Sequence, residues 1–341
     1  MSINNRIYYP IQALAFANHG VNFATNPTGY TAAHGLQSVG SNVTFNLEQV
    51  FELGQIEIYE QIENIPNVEL TASKVIDGYP LLQHLASRSP QGSTLNARYN
   101  NARTNVILTV YNESQNAASG VPLAVTLCSG MYLSSINFNI PVNGNAEESV
   151  TLVGNNKVRT TGSIPTGLFD VGSRFNNADS PIGTGGVQRR ENVNFALSRL
   201  PIDLPGISSS GTNDYVNGAY NCHVQNVSVA VNLGRTELFE LGRRGPYNRY
   251  IEFPTEVTCS IEMTTDERDD GINAYEEQNN VTNQTIKFVL DCGVVIDLGN
   301  KNVLQSVSRS GGDATGGNAT TTYNYSNFNS LTVTYPGYDY L

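Results

Sequence analysis

The chain has 341 residues, of which 39% are hydrophobic and 14% charged, and its formal net charge is −11. This length favours two domains, and sparse charge with abundant Gly, Asn, Ser and Thr favours strands joined by polar turns over helices. The acidic balance argues against a nucleic-acid-binding protein, because phosphate contacts require clustered Lys and Arg.

Membrane and secretory signals are not found in the sequence. No stretch has the roughly 18 consecutive apolar residues of a membrane span. The beginning, MSINNRIYYPIQALAF, lacks the basic start, long apolar run and cleavage site of a signal peptide. We therefore expect synthesis in the cytoplasm and no membrane partner. The four cysteines have no metal-ligand spacing and are predicted to be buried reduced thiols.

Segments of strand length follow one another through the first half of the chain: NVTFNLEQVFEL, NVELTASKV, NVILTVYN, VPLAVTLC, SSINFNIPV and ESVTLVG. One segment, DGYPLLQHLASRSP, predicts a short helix that starts near Tyr79. Pro80 suits a first helical position, and Leu81, Leu82 and Leu85 form one apolar stripe. The first half is therefore predicted to be a β domain with one flanking helix.

The second half continues with NVSVAVNL, EVTCSIEM, TIKFVLDCGVVIDL and SLTVTY, and NVSVAVNL has the two-residue period of a half-buried strand. Between the halves, residues 155–214 are dense in Gly, Pro, Ser and Asn. This region, together with residues 1–35 and 310–327, has little periodic apolar content. We expect all three segments to act as arms that are ordered by contacts with neighbouring subunits.

A repeated pattern relates the two halves. Phe239 stands 188 positions after Phe51, and the same spacing separates Gln37 from Gln225, Gly54 from Gly242 and Tyr59 from Tyr247. With a one-residue gap, ELTAS at 69–73 aligns with EVTCS at 256–260, and Ser149-Val150-Thr151 resembles Ser330-Leu331-Thr332. The sequence predicts a mainly β protein with two tandem, related sandwich or barrel domains, 1–154 and 215–341, joined by the linker 155–214.

Catalytic and metal-binding patterns are weak. The four histidines are far apart and none lies beside a G-x-S-x-G motif. Adjacent acids such as Glu147 and Glu148 are expected to be solvated loop charges rather than a glycosidase pair. The run 266–277 resembles a calcium loop in part, but Arg268 occupies a ligand position and would repel the metal. We expect no catalytic residue, no cofactor and no metal, and hence no enzyme.

The stretches FELGQIEIYEQIENIPNVELTASKVIDGYPLLQHLA and ELGRRGPYNRYIEFPTEVTCSIEM resemble the tail tube proteins of tailed bacteriophages. The resemblance implies sandwich or barrel domains whose rings stack into a hollow tube for genome ejection. It implies a structural virion protein of the phage tail, assembled in the host cytoplasm, with tail sheath or terminator and baseplate proteins as partners. DNA is expected to pass through without specific binding.

The resemblance also implies a ring size. Tube rings of this type are six-fold with one domain per position, so a chain with two tube domains implies a homotrimer that forms a pseudo-hexameric ring. The alternative is a ring of six chains, in which one domain lines the channel and the other decorates the outside. Other virion components, namely baseplate, connector or capsid decoration proteins, share this composition. A carbohydrate-binding sandwich is a further alternative, weakened by the absence of Trp.

The E-x-T strands are the candidate channel lining. In a strand, alternate side chains point to the same face, which groups the polar residues of each segment. The predicted lumen-facing residues are Glu69, Thr71, Ser73, Glu256, Thr258, Ser260 and Glu262. A channel for DNA should be neutral or negative, so that Lys and Arg do not trap phosphates. An ordinary solvated face is the alternative interpretation.

Overall fold

The computed structural model describes residues 7, 12–20, 29–87, 102–112, 121–161, 186–194, 200–201, 204, 223–265, 282–311 and 317–335. Within them the chain is mainly β-strand, which confirms the predicted fold class. One α-helix, α1 (Leu82–Ser87), and one 3-10 turn (Arg190–Asn192) occur in the described part. In that part, no helix is long and apolar enough to cross a membrane.

In chain order the strands of the first half are β1 Gln12–Asn18, β2 Tyr30–Ala32, β3 Leu36–Thr44, β4 Leu47–Phe51, β5 Ile58–Glu63, β6 Asn67–Val75, β7 Thr104–Val110, β8 Ala124–Pro141, β9 Glu147–Gly154 and β10 Asn156–Thr161. The later strands are β11 Val193–Asn194, β12 Val224–Asn232, β13 Thr236–Leu238, β14 Asn248–Tyr250, β15 Glu256–Thr264, β16 Lys287–Leu290, β17 Val295–Asp297, β18 Val303–Ser310, β19 Thr320–Phe328 and β20 Thr332–Thr334.

A continuous antiparallel sheet of eight strands is the centre of the fold, and we call it the central sheet. Its order is β3-β6-β9-β8-β12-β15-β19-β18. The strand β8 is 18 residues long, and only its second part, residues 132–141, belongs to this sheet. Both halves of the chain contribute four strands, and β8 and β12 join the halves in the middle.

A second layer covers one face of the central sheet. Beneath the first half, β2, β1, β7, residues 124–131 of β8, and β10 pair in that order. Beneath the second half, β11, β16, β17 and β20 form a four-stranded sheet. Large apolar side chains from both layers, including Phe16, Phe138, Phe288 and Tyr325, belong to one hydrophobic core. Among the described residues, none covers the opposite face of the central sheet.

The helix α1 packs within this core against β1, β6, β8 and β9. Its apolar stripe is confirmed, because Leu81, Leu82 and Leu85 are all fully buried. The helix begins at Leu82 rather than near Tyr79, so that Pro80 precedes it. The sequence therefore predicted the existence and the buried side of the helix more accurately than its first residue.

Part of the expected N-terminal arm is instead a core strand. In β1, Leu14 and Phe16 face the main core, while the three alanines at 13, 15 and 17 belong to a second cluster that includes Tyr30 and Ala32 of β2. A strand covered on both sides needs small side chains where the layers approach closely. The short alanine-rich run QALAFAN therefore has little of the branched apolar content on which strand prediction depends.

Residues 320–327, also expected to form an arm, lie in β19 inside the central sheet. Tyr323 and Tyr325 are buried in the main core between polar neighbours. Buried and partly exposed residues alternate along most of this strand. The buried aromatic residues are tyrosines that stand among Thr, Asn and Ser, and this composition is typical of a loop. The expectation of an arm is wrong for this segment.

The described parts of the region 155–214 also contact their own chain. Gln188 is buried although its neighbours in the chain are exposed, and its backbone bonds to Ile76 and Ala146 of the first half at 2.8 Å each. Its side-chain Oε1 accepts from the backbone N–H of Cys292, in the second half, at 3.2 Å. This segment ties the two halves together, whereas residues 162–185 and 205–222 lie outside the described residues.

The two halves of the central sheet have the same irregularities. A β-bulge at Gln37 interrupts the pairing of β3, and one at Gln225 interrupts that of β12. Each glutamine side chain donates to the backbone carbonyl two residues before it, at 3.2 and 3.3 Å. A second pair of bulges occurs at Ser134 in β8 and at Gln305 in β18. Strand order and bulge positions thus recur in both halves.

These bulges correct the alignment of the E-x-T strands. Thr71 and Ser260 each stand opposite the third residue after the bulge glutamine, so these two positions correspond. Glu69 then corresponds to Thr258 and not to Glu256. A shift of two residues preserves the face of every side chain, so alternation alone cannot detect the error.

The same comparison corrects a second alignment. The strand β19 is the counterpart of β9. In each half, the strand with the second bulge, β8 or β18, pairs with the next strand along the chain, which is β9 or β19. Ser330-Leu331-Thr332 lies at β20, which pairs with β17 in the other layer. It is therefore not the counterpart of Ser149-Val150-Thr151.

Candidate functional site

The uncovered face of the central sheet carries all seven predicted lumen residues. In β6 and β15, Glu69, Thr71, Glu256 and Thr258 are exposed and Ser73, Ser260 and Glu262 are half-buried, while the residues between them are buried. Residues directly opposite one another on neighbouring strands share a face. Thr71 is opposite Thr151, which is opposite Ser135, and Ser135, Asn232 and Glu256 line one shallow depression. The two E-x-T strands therefore present the same face.

We call this surface the polar face. Following the strand order, its side chains include Ser38, Asn42, Thr44; Asn67, Glu69, Thr71, Ser73; Glu147, Ser149, Thr151, Val153; Ser135, Asn137, Asn139, Pro141; Asn226, Ser228, Ala230, Asn232; Glu256, Thr258, Ser260, Glu262, Thr264; Thr320, Thr322, Asn324, Ser326, Phe328; and Val303, Ser306, Ser308, Ser310. Among these described residues, the charged ones are four glutamates, with no Lys or Arg. The face is therefore polar and negative.

Short side chains keep the polar face flat. Ser38 and Ser73 share a hydrogen bond between hydroxyls at 2.7 Å, and Asn324 Nδ2 donates to Ser306 Oγ at 3.0 Å. Hydroxyls and amides that bond to neighbouring strands do not project far from the sheet. No described side chain on this face is arranged as a nucleophile and base pair, and in the described residues no group of His, Cys, Asp or Glu could hold a metal.

The central sheet ends in two open edges. Among the described strands, β3 pairs only with β6, and β18 pairs only with β19. On their outer sides, the nine residues of β3 and the eight of β18 therefore have no backbone strand partner within the described part of the chain. Val307 on β18 is 37% exposed, although its side chain lies on the core side of the sheet. Long, open edges of this kind are templates for pairing with another chain.

The joint between β8 and β12 shows how one half docks against the other. Its antiparallel ladder runs from Ser135 opposite Asn232 to Pro141 opposite Asn226. Outside the strands the ladder continues, since Leu233 N donates to the carbonyl of Ser134 at 2.8 Å. We call this the internal joint.

Two arginines of the second half reinforce the internal joint. Arg235 Nε donates to the Leu133 carbonyl at 2.8 Å. Arg249 pairs with Glu237 and donates from Nη2 to the side-chain oxygens of Asn67 and Asn155, at 3.1 Å each. Burial lowers the pKa of Arg235 to about 10, so that it stays protonated at neutral pH. The halves are thus held by a ladder and by charge-assisted hydrogen bonds.

Two hairpins, β4–β5 and β13–β14, leave the central sheet at the same end. Each turns at a glycine with positive φ, Gly54 at +95° and Gly242 at +84°. The leucine before each glycine, Leu53 or Leu241, is fully exposed. F-E-L-G is recognisable in the sequence as a repeat, but its exposed apolar tips were not predicted. An apolar residue beside a turn glycine was the signal that could have revealed them.

A buried charged cluster lies beneath the polar face. The Glu148 carboxylate accepts hydrogen bonds from the backbone N–H groups of Leu82 and Gln83, at 2.6 and 2.9 Å. Lys74 Nζ donates to Asp77 Oδ1 and to the Pro80 carbonyl, at 3.0 Å each. Burial raises the pKa of Glu148 to about 7. The expectation that Glu148 is a solvated loop charge is wrong, because this carboxylate holds the start of α1.

The thiols agree with the sequence analysis where the structure describes them. Cys128, Cys259 and Cys292 are free and buried, and burial raises the pKa of each. A protonated, buried thiol is unreactive and packs as a small apolar side chain. Cys222 and the partial calcium loop at 266–277 lie outside the described residues.

No protein-family model and no curated protein sequence matches the chain. Among solved structures, it is similar to the tube-terminating cap of the anti-feeding prophage, with 11% identity, 48% of this chain and 95% of that chain covered, and a TM-score of 0.34. It is also similar to a chain of the PVC extracellular contractile injection system sheath-tube complex, with 10% identity, 47% and 94% covered, and a TM-score of 0.33. A chain from the tail of an empty GTA particle, computed with C6 symmetry, has 13% identity, 39% and 96% covered, and a TM-score of 0.26.

Proposed function

We propose that the protein is a structural subunit of a phage tail tube, in which stacked rings surround a channel for DNA. The observation that carries this proposal is the polar face of a continuous eight-stranded sheet, free of Lys and Arg in its described residues and bounded by two open edges. Pairing of the edges between subunits curves such sheets into a closed barrel. The polar face then lines the lumen, and the second layer faces outward.

The chemistry of the polar face suits a conduit rather than a binding site. Phosphates are held by Lys and Arg through release of counterions, and Glu69, Glu147, Glu256 and Glu262 repel them instead. Several of the remaining hydroxyls and amides form hydrogen bonds with neighbouring strands. DNA therefore meets a flat, negative wall on which it can slide. In this role the protein is not an enzyme and needs no cofactor.

Three chains per ring follow from an internal duplication of the tube domain. The equal strand order and the equal bulges at Gln37 and Gln225 support two equivalent halves, each occupying one of six positions. Fusion of two positions makes one joint internal to the chain and leaves the other between chains. The six-chain alternative requires one half to leave the channel wall, which the continuous sheet through the internal joint disfavours.

The ends of such a tube need other proteins. Repeated rings present the same surfaces, so a terminator and a baseplate protein must cap the open ends, and a sheath would surround the outside in a contractile tail. We propose these as partners, and the virion tail as the location of the assembled protein.

Electron microscopy of the purified protein tests the proposal. We expect hollow tubes whose symmetry averaging gives three chains per ring, with both E-x-T strands at the lumen. Single closed rings that never stack would indicate a connector or baseplate role instead. Six equivalent chains, with the second E-x-T strand away from the lumen, would refute the three-chain ring. A protein that stays monomeric at high concentration and binds glycans would refute the tube altogether.

A further inference from the structure

We propose that β18 of one chain pairs with β3 of the next chain, in the register that the internal joint already displays. The inference rests on the proposed function and adds the partner surface and its residue pairs. The internal joint is formed by the last strand of the first half, β8, and the first strand of the second half, β12. The two open edges are the last strand of the second half and the first strand of the first half.

The correspondence of these strands comes from their hydrogen-bonded neighbours. Ser135 follows the β8 bulge and stands opposite Thr151 on β9, and Ser306 follows the β18 bulge and stands opposite Asn324 on β19. Similarly, β3 and β12 both have their bulge at a glutamine in the second position of the strand. Residues 135–139 of β8 and 228–232 of β12 therefore each have one counterpart on an open edge.

Transferring the internal register to the open edges gives five pairs between chains. The pairs between chains are Ser306 with Thr44, Val307 with Val43, Ser308 with Asn42, Arg309 with Ser41, and Ser310 with Gly40. In the same order, their counterparts in the internal joint are Ser135 with Asn232, Ile136 with Val231, Asn137 with Ala230, Phe138 with Val229, and Asn139 with Ser228.

The faces of the paired residues agree with this register. Ser308 and Asn42 both lie on the polar face, and Val307 and Val43 both lie on the core side. A slip by one residue would place a valine opposite a polar-face residue and would interrupt the polar face at the subunit boundary. The register thus continues the polar face and the core from chain to chain.

The joint between chains is more polar than the internal joint. The apolar pair of Ile136 and Val231, which are 1% and 3% exposed, is kept as Val307, which is 37% exposed on its unpaired edge, and the partly buried Val43. Arg309 replaces Phe138, and it approaches Ser41, whose hydroxyl accepts a hydrogen bond from Lys157 at 2.8 Å. A polar edge with two nearby cations stays soluble in the unassembled chain and discourages premature pairing.

The hairpins supply a second contact at the same boundary. In the internal joint, Arg249 of the second hairpin reaches Asn67 at the end of β6. The counterpart of Arg249 is Gln61 on β5, and the counterpart of Asn67 is Glu256 on β15. Across the boundary, the Gln61 amide of one chain can therefore donate to the Glu256 carboxylate of the preceding chain.

Engineered disulfides in assembled tubes test the register. One variant combines Asn42→Cys with Ser308→Cys, and a second combines Val43→Cys with Val307→Cys, which covers both pair geometries of an antiparallel ladder. Opposite residues have Cβ atoms about 4.5–5.5 Å apart, close to what a disulfide needs. Within one chain the two edges are separated by seven strand spacings of about 4.8 Å, so no bond can form there.

We expect oxidation to give covalent dimers and trimers on a non-reducing gel, with no larger species because the ring closes at three chains. The matched control, Asn42→Cys with Ser306→Cys, is displaced by two residues and should link at less than a tenth of that yield. Linking of the control in preference to both test pairs would overturn the register while leaving the tube intact.

A second measurement covers variants that fail to assemble. High-resolution imaging of tubes from the unaltered chain reads the pairing of β3 and β18 directly. Val43 opposite Val307 supports the inference, and any other register or any other partner strand overturns it. Failure of the unaltered chain to form tubes would instead count against the proposed function.

Discussion

Glu148 illustrates how a single residue is decided by its three-dimensional surroundings. Its neighbour Glu147 points to the polar face, while Glu148 points into the core, because adjacent strand residues face opposite sides. There the carboxylate accepts two backbone N–H groups at the start of α1. Burial outweighs these hydrogen bonds and the nearby Lys74, so the pKa is raised from 4.5 to about 7.

This raised pKa predicts a pH-dependent stability. The contribution of Glu148 to the free energy of unfolding is complete below pH 4.5, where the carboxyl group is protonated in both the folded and the unfolded chain. This contribution is lost as the pH rises through about 7. By linkage, the loss amounts to about 3 kcal/mol of unfolding free energy. Denaturant unfolding of the unassembled chain from pH 4 to pH 8 measures it. We expect Glu148→Gln to show a correspondingly flatter profile.

Glu69→Gln is the matched control, because it makes the same change on the exposed polar face. Its unfolding is measured over the same pH range. If both variants have the same pH profile as the unaltered chain, Glu148 does not bind a proton on folding in this range, and the assignment of its raised pKa is wrong.

At the scale of elements, the two hairpins differ from every other described strand pair in standing apart from the layers. Leu53 and Leu241 are fully exposed at their tips, with Phe51 and Phe239 more than half exposed nearby. Apolar residues repeated at equivalent tips are costly on an isolated subunit and favour a contact in the assembly. Both hairpins leave the sheet at the same end, so we assign them to the contact between stacked rings.

Replacing Leu53 and Leu241 together by Asp should shorten the tubes. Each tip loses roughly 2 kcal/mol of apolar burial and gains a charge that must be desolvated. We expect single rings or short stacks, with the mean tube length reduced at least several-fold in negative-stain images. Gln55→Asp adds a charge beside the first tip without removing apolar surface, and should leave long tubes. Unchanged tube length in the leucine variant would refute this role of the hairpins.

At the scale of the whole molecule, the charge of the polar face should control the passage of DNA. Thr71→Lys combined with Ser260→Lys changes equivalent positions of the two halves and gives six lysines per three-chain ring. We expect tubes that retain a short DNA duplex in a form resistant to nuclease, with retention falling steeply between about 50 and 200 mM salt. Tubes of the unaltered chain should retain none.

Val121→Lys combined with Val158→Lys adds the same charge at exposed positions away from the polar face. DNA that binds to this control should remain accessible to the nuclease. Equal protection by both variants would mean that the polar face does not line the channel, and no protection by the lumen variant despite normal tubes would lead to the same conclusion.

Particular segments show how much of this architecture was predictable. The alternation in NVELTASKV and EVTCSIEM identified the polar face by residue, because strand periodicity follows from backbone geometry alone. The core strands QALAFAN and TTTYNYSNF were missed, because one is buried on both sides by alanines and the other uses tyrosines among polar residues. Their burial depends on what covers them, which local composition does not reveal.

The sequence by itself determined the β class, the short helix with its apolar stripe, the repeated F-E-L-G and E-x-T elements and the exposed face of both E-x-T strands, since these depend on local periods and spacings. Only the tertiary structure decided the register between the halves, the continuity of the central sheet through the internal joint, the open edges and the burial of Glu148. The physical reason is that strand pairing joins residues distant in the chain, and a shift by two residues leaves every local pattern unchanged.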